Sequence, residues 1–129
     1  GATDVLARAR LKESGCDEAL MATRDGELVG GTMSNLFAWL DGRLVTPALH
    51  TAGVRGVMRS VVLREAPALG LQAVEAVLRR EDLVRAGELF FTNARLGIWP
   101  VRELGEWRAA GAPGEVTAAL QARMAGLRD

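Results

Sequence analysis

The chain has 129 residues, with sixteen basic and sixteen acidic side chains and a formal net charge of zero. That length suits one domain, and 49% hydrophobic with 25% charged residues suits a globular fold with a sizeable core. No strongly basic end argues for a nucleic-acid partner, no apolar run is long enough to span a membrane, and no signal-peptide pattern opens the chain. A single cysteine, Cys16, cannot close an internal disulfide, so a reducing, cytoplasmic setting is the expectation. Lys12 is the only lysine. Chemistry that needs a lysine amine in this chain must use Lys12 or do without.

In chain order, residues 3–13 are predicted as a helix in which Val5, Leu6 and Ala9 share a face and Gly15 ends it. Ala19 to Ala22 is a short apolar strand. Arg24-Asp25-Gly26-Glu27 is a hairpin turn, and Leu28-Val29 starts the return strand. Asn35 to Leu40 is a further strand, followed by a second turn at Asp41-Gly42 and by Leu44-Val45. Two hairpins so close together imply an antiparallel sheet. Thr46-Pro47 breaks the strand.

After Gly56 the period changes. Val57, Met58, Val61, Val62 and Leu69 fall on one side of a helix that ends near Gly70 and is kinked or shortened by Pro67. Ala73 to Leu78 is a strand with apolar positions Val74 and Val77, and Asp82 to Ala86 a short helix. Leu89 to Thr92 is a compact apolar strand, Asn93 to Gly97 a loop, and Ile98 to Leu104 another strand. Pro113-Gly114-Glu115 opens a last helix with Val116, Leu120, Met124 and Leu127 facing inward. The sum is an α+β fold, a mostly antiparallel sheet with packed helices.

Three segments combine small and polar residues at element ends. In Gly30-Gly31-Thr32-Met33-Ser34-Asn35-Leu36-Phe37, two glycines permit close approach of a ligand, and Thr32, Ser34 and Asn35 offer hydrogen bonds. The same residues also describe a polar turn. In Gly53-Val54-Arg55-Gly56-Val57-Met58-Arg59, glycine precedes an amphipathic helix whose free N–H groups and dipole suit a phosphate, although glycine is also an ordinary helix boundary. Phe91-Thr92-Asn93-Ala94 closes a buried strand, where either ligand contacts or a simple turn would fit. His50 has no Ser-His-Asp or metal-cluster companions and is read as a loop residue. Cys16 is read as inert, Trp39, Trp99 and Trp107 as packing residues, and Glu103 and Glu106 as solvated surface.

Taken together and in order, Asp17-Glu18-Ala19-Leu20, the Gly30 to Phe37 segment, Thr46-Pro47, the Gly53 to Arg59 segment, Thr92-Asn93-Ala94 and Pro100-Val101 resemble the second half of fold-type IV pyridoxal-phosphate (PLP) enzymes. That family includes branched-chain aminotransferases, D-amino-acid aminotransferases and aminodeoxychorismate lyases. Met58, where transaminases usually carry threonine, and Asn93-Ala94, in place of a threonine-rich loop, resemble the lyases. The resemblance implies a single PLP-cradling C-terminal domain over 1–129, part of a homodimeric enzyme that converts 4-amino-4-deoxychorismate to 4-aminobenzoate and pyruvate on the way to folate, with a branched-chain or D-amino-acid aminotransferase or a non-catalytic remnant domain as the alternatives. It implies that the amides of Val57 and Met58 hold the cofactor phosphate, that Asn93 and Ala94 complete the cup, that Val54 lies against the pyridine ring, and that Ser34 and Asn35 order the strand beside it.

Two departures from the family pattern stand out. The glutamate that usually pairs with the pyridine nitrogen is replaced by Gly30. A carboxylate there keeps the nitrogen protonated, so its loss should weaken the electron sink unless another group substitutes. The family's cofactor-bearing lysine is expected upstream of residue 1. Lys12 comes too late to match it and is read as a surface residue.

Overall fold

The computed structural model describes residues 3–11, 17–48, 56–93 and 97–128. Among them the chain forms a mixed, curled sheet with helices packed on it, the expected α+β class. The strands are β1 (Thr3–Leu11), β2 (Asp17–Thr23), β3 (Leu28–Gly30), β4 (Asn35–Leu40), β5 (Arg43–Thr46), β6 (Ala73–Glu75), β7 (Glu88–Asn93), β8 (Gly97–Leu104) and β9 (Trp107–Arg108). The helices are α1 (Val57–Glu65), continued by a 3-10 turn at Ala66–Leu69, then α2 (Arg80–Leu83) and α3 (Glu115–Arg128). Sheet order is β3-β2-β1-β8-β7-β4-β5-β6, with β9 paired to β8.

Both predicted hairpins form. Asp41 and Gly42 take positive φ between β4 and β5, and Gly26 does so between β2 and β3. Alternation along the strands divides the side chains between two cores. Leu36, Ala38 and Leu40 of β4 join Leu89 and Phe91 of β7 on one face, closed by Leu78 and Leu83. Phe37, Leu44 and Phe90 lie on the other, beneath Val62 of α1 and Leu120 and Met124 of α3. Phe37 and Phe90 stack there with centroids 5.0 Å apart, because β4 and β7 pair them directly. The tryptophans do pack as expected. Trp39 leans on the helix-covered core and Trp99 and Trp107 on the other.

One pairing fixes where α1 must go. β5 and β6 are parallel, whereas the other ladders are antiparallel. Parallel neighbours cannot be joined by a tight turn, so the chain leaves the end of β5, crosses over a face of the sheet and returns to the start of β6. The crossover contains α1. Its N-terminus therefore lies at the Thr46 end of β5, where β7 also ends and β4 begins.

Four sequence expectations need correction. Residues 3–11 are a strand, not a helix. Arg8 and Arg10 are exposed while Ala9 and Leu11 are buried, so the operative period is two, and pairing with β2 and β8 satisfies the backbone. The strand from Ala73 shortens to Glu75, and Val77 is 61% exposed; β6 is the outer strand, and the chain leaves it so that Leu78 is buried instead. The short helix starts earlier than expected, because Asp82 accepts the Arg79 N–H at 2.8 Å and caps it there. Leu127 is 49% exposed, since the apolar cover over α3 extends only to Met124. The helix after Gly56 runs as expected. It tightens at Pro67 and stops at Gly70, whose φ of 74° suits glycine. Lys12, Cys16 and His50 lie outside the described residues.

The start of α3 depends on one carboxylate. Glu88 of β7 accepts from the N–H groups of Val116 and Thr117 and from the Thr117 hydroxyl, at 3.0, 2.8 and 2.7 Å. A negative charge on the first-turn amides is the favourable polarity for a helix N-terminus. Glu88→Ala should cost about 1–2 kcal/mol. Urea unfolding checks this, as a fall in midpoint at unchanged slope.

Candidate functional site

The polar end of the sheet is built from three elements. Alternation along β4, β5 and β7 places Asn35, Thr46 and Thr92 on the helix-covered face, in parity with Phe37, Leu44 and Phe90. All three are buried, and Asn35 pairs directly with Thr92. The Thr46 hydroxyl donates to the Leu36 carbonyl at 2.6 Å. The Thr92 hydroxyl is buried without a hydrogen-bond partner. A buried orphan hydroxyl is uncommon, and an ordered water or a ligand atom would satisfy it.

Above this face stands the N-terminus of α1. Gly56 precedes it, and neither a side-chain cap nor a first-turn acidic residue is present. Among the described residues no side-chain cap or first-turn carboxylate meets these amides, unlike those of α3, which Glu88 occupies. Met58 packs onto the core that includes Phe90, whereas Val57 is 60% exposed at the tip. These positions offer backbone N–H groups rather than side-chain chemistry. They suit an anion such as a phosphate monoester.

The third element is the loop between β3 and β4. Asn93, at the end of β7, donates from its side-chain amide to the Met33 carbonyl at 2.7 Å, which ties the first and third polar segments of the sequence together. Ser34 and Asn35 are buried at the start of β4, while Met33 is 68% exposed. Val54 and Ala94 lie outside the described residues.

Gly30 is held in a conformation that belongs to glycine. Its φ is 145°, and a Cβ there would sit 2.9 Å from the Ser34 carbonyl oxygen. Glu27 lies away from this loop, 4.0 Å from Arg79 at the turn between β2 and β3. The carboxylate that does reach the loop is Glu18, which the sequence reading quoted in a motif but gave no role. It accepts from the Thr32 hydroxyl at 2.9 Å, the Thr32 N–H at 3.2 Å, the Ser34 hydroxyl at 2.7 Å and the Ala19 N–H at 2.8 Å. Gly31 leaves the room for it, because a Cβ there would collide with Ser34 Oγ and the Glu18 carboxyl. Only the pairing of β2 with β3 brings Glu18 across from Thr32, fourteen positions away.

Partial burial pushes the Glu18 carboxyl upward, but the hydrogen bonds from Ser34, Thr32 and Ala19 together outweigh it and hold the group below the usual carboxylate range. A depressed folded pKa stabilises the fold above the unfolded value, and that stabilisation is lost as pH falls through the folded one. Thermal melts from neutral to acidic pH should therefore show a gap between wild type and Glu18→Gln that closes on acidification. Parallel curves would mean that this carboxylate does not hold the loop. Gly30→Ala should lower stability by about 1–3 kcal/mol, read as a shift in unfolding midpoint.

A curled mixed sheet with helices packed on it is what comparison with known proteins also finds. The model of the class IV aminotransferases matches residues 2–104. The chain belongs to the aminotransferase class IV family. It is 35% identical over 118 residues to a branched-chain-amino-acid aminotransferase of Pseudomonas aeruginosa, covering 91% of this chain and 38% of that protein. The crystal structure of 4-amino-4-deoxychorismate lyase from the same organism superposes with a TM-score of 0.76 at 38% identity, over 88% of this chain and 41% of that one. A branched-chain amino acid aminotransferase from Thermobaculum terrenum, solved in its PLP form, gives 0.80 at 28% identity, over 86% and 37%. The chain thus spans about two fifths of the length of these relatives. No helix among the described residues is long and apolar enough to cross a membrane, and none of their His, Cys, Asp and Glu side chains cluster as a metal site.

Proposed function

We propose that this chain is the cofactor-cradling part of a PLP enzyme, and that the enzyme is an aminodeoxychorismate lyase, releasing pyruvate from 4-amino-4-deoxychorismate to leave 4-aminobenzoate. The observation that carries the cofactor reading is the uncapped N-terminus of α1 at the end of the sheet where the Thr92 hydroxyl is buried without a partner. The residues fit the group: a phosphate there would meet backbone donors, the positive end of a helix dipole and no competing carboxylate in the first turn.

When bound, PLP supplies an electron sink conjugated to the substrate's amine-bearing carbon. The chain's own residues bind and orient. In this reading the amides of Val57 and Met58 hold the phosphate, with Asn93 and Ala94 at its border. Ser34 and Asn35 keep the start of β4 in place beside the ring, and Val54 lies against the ring face. Glu18 fixes the loop on which Ser34 sits. Gly30 brings no carboxylate to the pyridine nitrogen, and the lysine that exchanges protons with substrate belongs to a part of the enzyme outside this chain. We expect a homodimer of the full-length protein.

The lyase assignment is supported by Met58 and Asn93-Ala94 and by the 38% identity to the solved Pseudomonas aeruginosa lyase. An aminotransferase acting on branched-chain or D-amino acids is the second reading, favoured by the 35% identity to a branched-chain aminotransferase. The two reactions differ in stoichiometry. The full-length protein is expected to carry the absorbance of bound PLP and to release pyruvate from 4-amino-4-deoxychorismate with no 2-oxo acid added. A strict requirement for a 2-oxo acid would identify an aminotransferase. Absence of PLP binding by the full-length protein would refute both.

A further inference from the structure

We propose that Arg59 is a positioning residue that sets the first turn of α1 where an anion can be held. The inference builds on the phosphate reading above and adds to it a side chain to which no role has been given. Arg59 is the third residue of α1 and is only 4% exposed. The other arginines in described ion pairs, Arg64, Arg79, Arg85, Arg108 and Arg123, have side chains at least 40% exposed. Taking a guanidinium out of water is unfavourable unless partners replace the lost hydration. Here the replacement is incomplete: one terminal nitrogen donates to the Pro47 carbonyl at 3.1 Å and to Glu75 at 2.5 Å, while Nε is buried with no partner. A residue serving stability alone would be better replaced by an apolar one. What this arginine does achieve is geometric.

Its two partners sit on the two strands that α1 connects. Pro47 follows β5, and its neighbour Thr46 is locked to β4 through the Leu36 carbonyl. Glu75 ends β6, and the next N–H, of Ala76, donates to the Thr46 carbonyl at 3.0 Å. Arg59 therefore joins the first turn of α1 to both parallel strands at once, at the end of the sheet where Thr92 lies buried. The helix axis is held elsewhere by Val62 in the core and by Glu65, which accepts from Arg123 of α3 at 2.9 Å. Those contacts fix the body of the helix. Arg59 fixes its tip, and a shift of the tip moves the backbone donors relative to the sheet.

The test uses the full-length protein with Arg59→Lys, Arg59→Met and Glu75→Gln. Glu75 is half exposed, so its variant keeps the test open if loss of the arginine prevents folding. Affinity for PLP, affinity for inorganic phosphate, the 31P chemical shift of bound phosphate and the apo-protein melting temperature are measured for each. The expected result is a loss of PLP and phosphate affinity of about tenfold or more for Arg59→Met, as for other outer-layer positioning partners. Glu75→Gln and Arg59→Lys should show smaller losses and a displaced 31P signal, with a melting temperature near that of wild type. Unchanged affinities and 31P shifts beside a lowered melting temperature would overturn the proposal and leave Arg59 a structural residue. If wild type binds phosphate but not PLP, the cofactor reading fails, and the phosphate series alone decides on Arg59. If wild type binds neither, both fall.

Discussion

The parallel pairing of β5 with β6 is the constraint on which the candidate site depends. It forces a crossover, and the crossover brings a helix N-terminus to the end of the sheet where β5 and β7 finish and β4 starts. Had the two strands been antiparallel, a hairpin could have joined them and no helix N-terminus need have come to this end of the sheet. Arg59 then ties the tip of α1 to both strands of the parallel pair. Topology thus delivers the electropositive end of the helix, and one buried guanidinium keeps it in register.

Two helices in the same domain use their N-termini differently. Glu88 lies on the amides of α3 and satisfies them within the protein. The corresponding turn of α1 has neither a side-chain cap nor an acidic residue. The contrast separates an amide cluster satisfied by a carboxylate from one with no side-chain cap. The carboxylates follow the same division. Glu88 and Glu18 are committed to the fold through several hydrogen bonds each, and the loop that Glu18 holds is the one where Gly30 brings no carboxylate.

Class IV membership covers a cofactor-binding architecture shared by a lyase and by aminotransferases. The fold is common to both, so the discriminating chemistry has to come from groups that meet the substrate. On this chain those are few. Its contribution is a scaffold: donors at α1, an ordered strand start at Ser34 and Asn35, and a tied loop at Asn93.

Local patterns determined much of what the sequence makes legible. Asp41-Gly42 and Asp25-Gly26 are turns because few other residue pairs favour their backbone angles, and Gly56 to Gly70 is a helix because its apolar residues recur on one side. The ordered motifs likewise carried the family. Residues 3–11 were misread because Val5, Leu6 and Ala9 fit a helical face as well as Ala9 and Leu11 fit a strand face. Pairing with β2 and β8, which no local pattern contains, decided between them. The partners of Glu18, Arg59 and Glu88 were hidden for the same reason. Apart from the Glu18–Ala19 bond, each spans a dozen or more positions, so these contacts exist only once the strands are in register and the crossover is made. The sequence by itself determined which segments are polar, which turn and which start a helix. Tertiary structure decided which polar groups are consumed by the fold and which, like Thr92 and the first turn of α1, are left for something else, because hydrogen-bond satisfaction depends on neighbours in space.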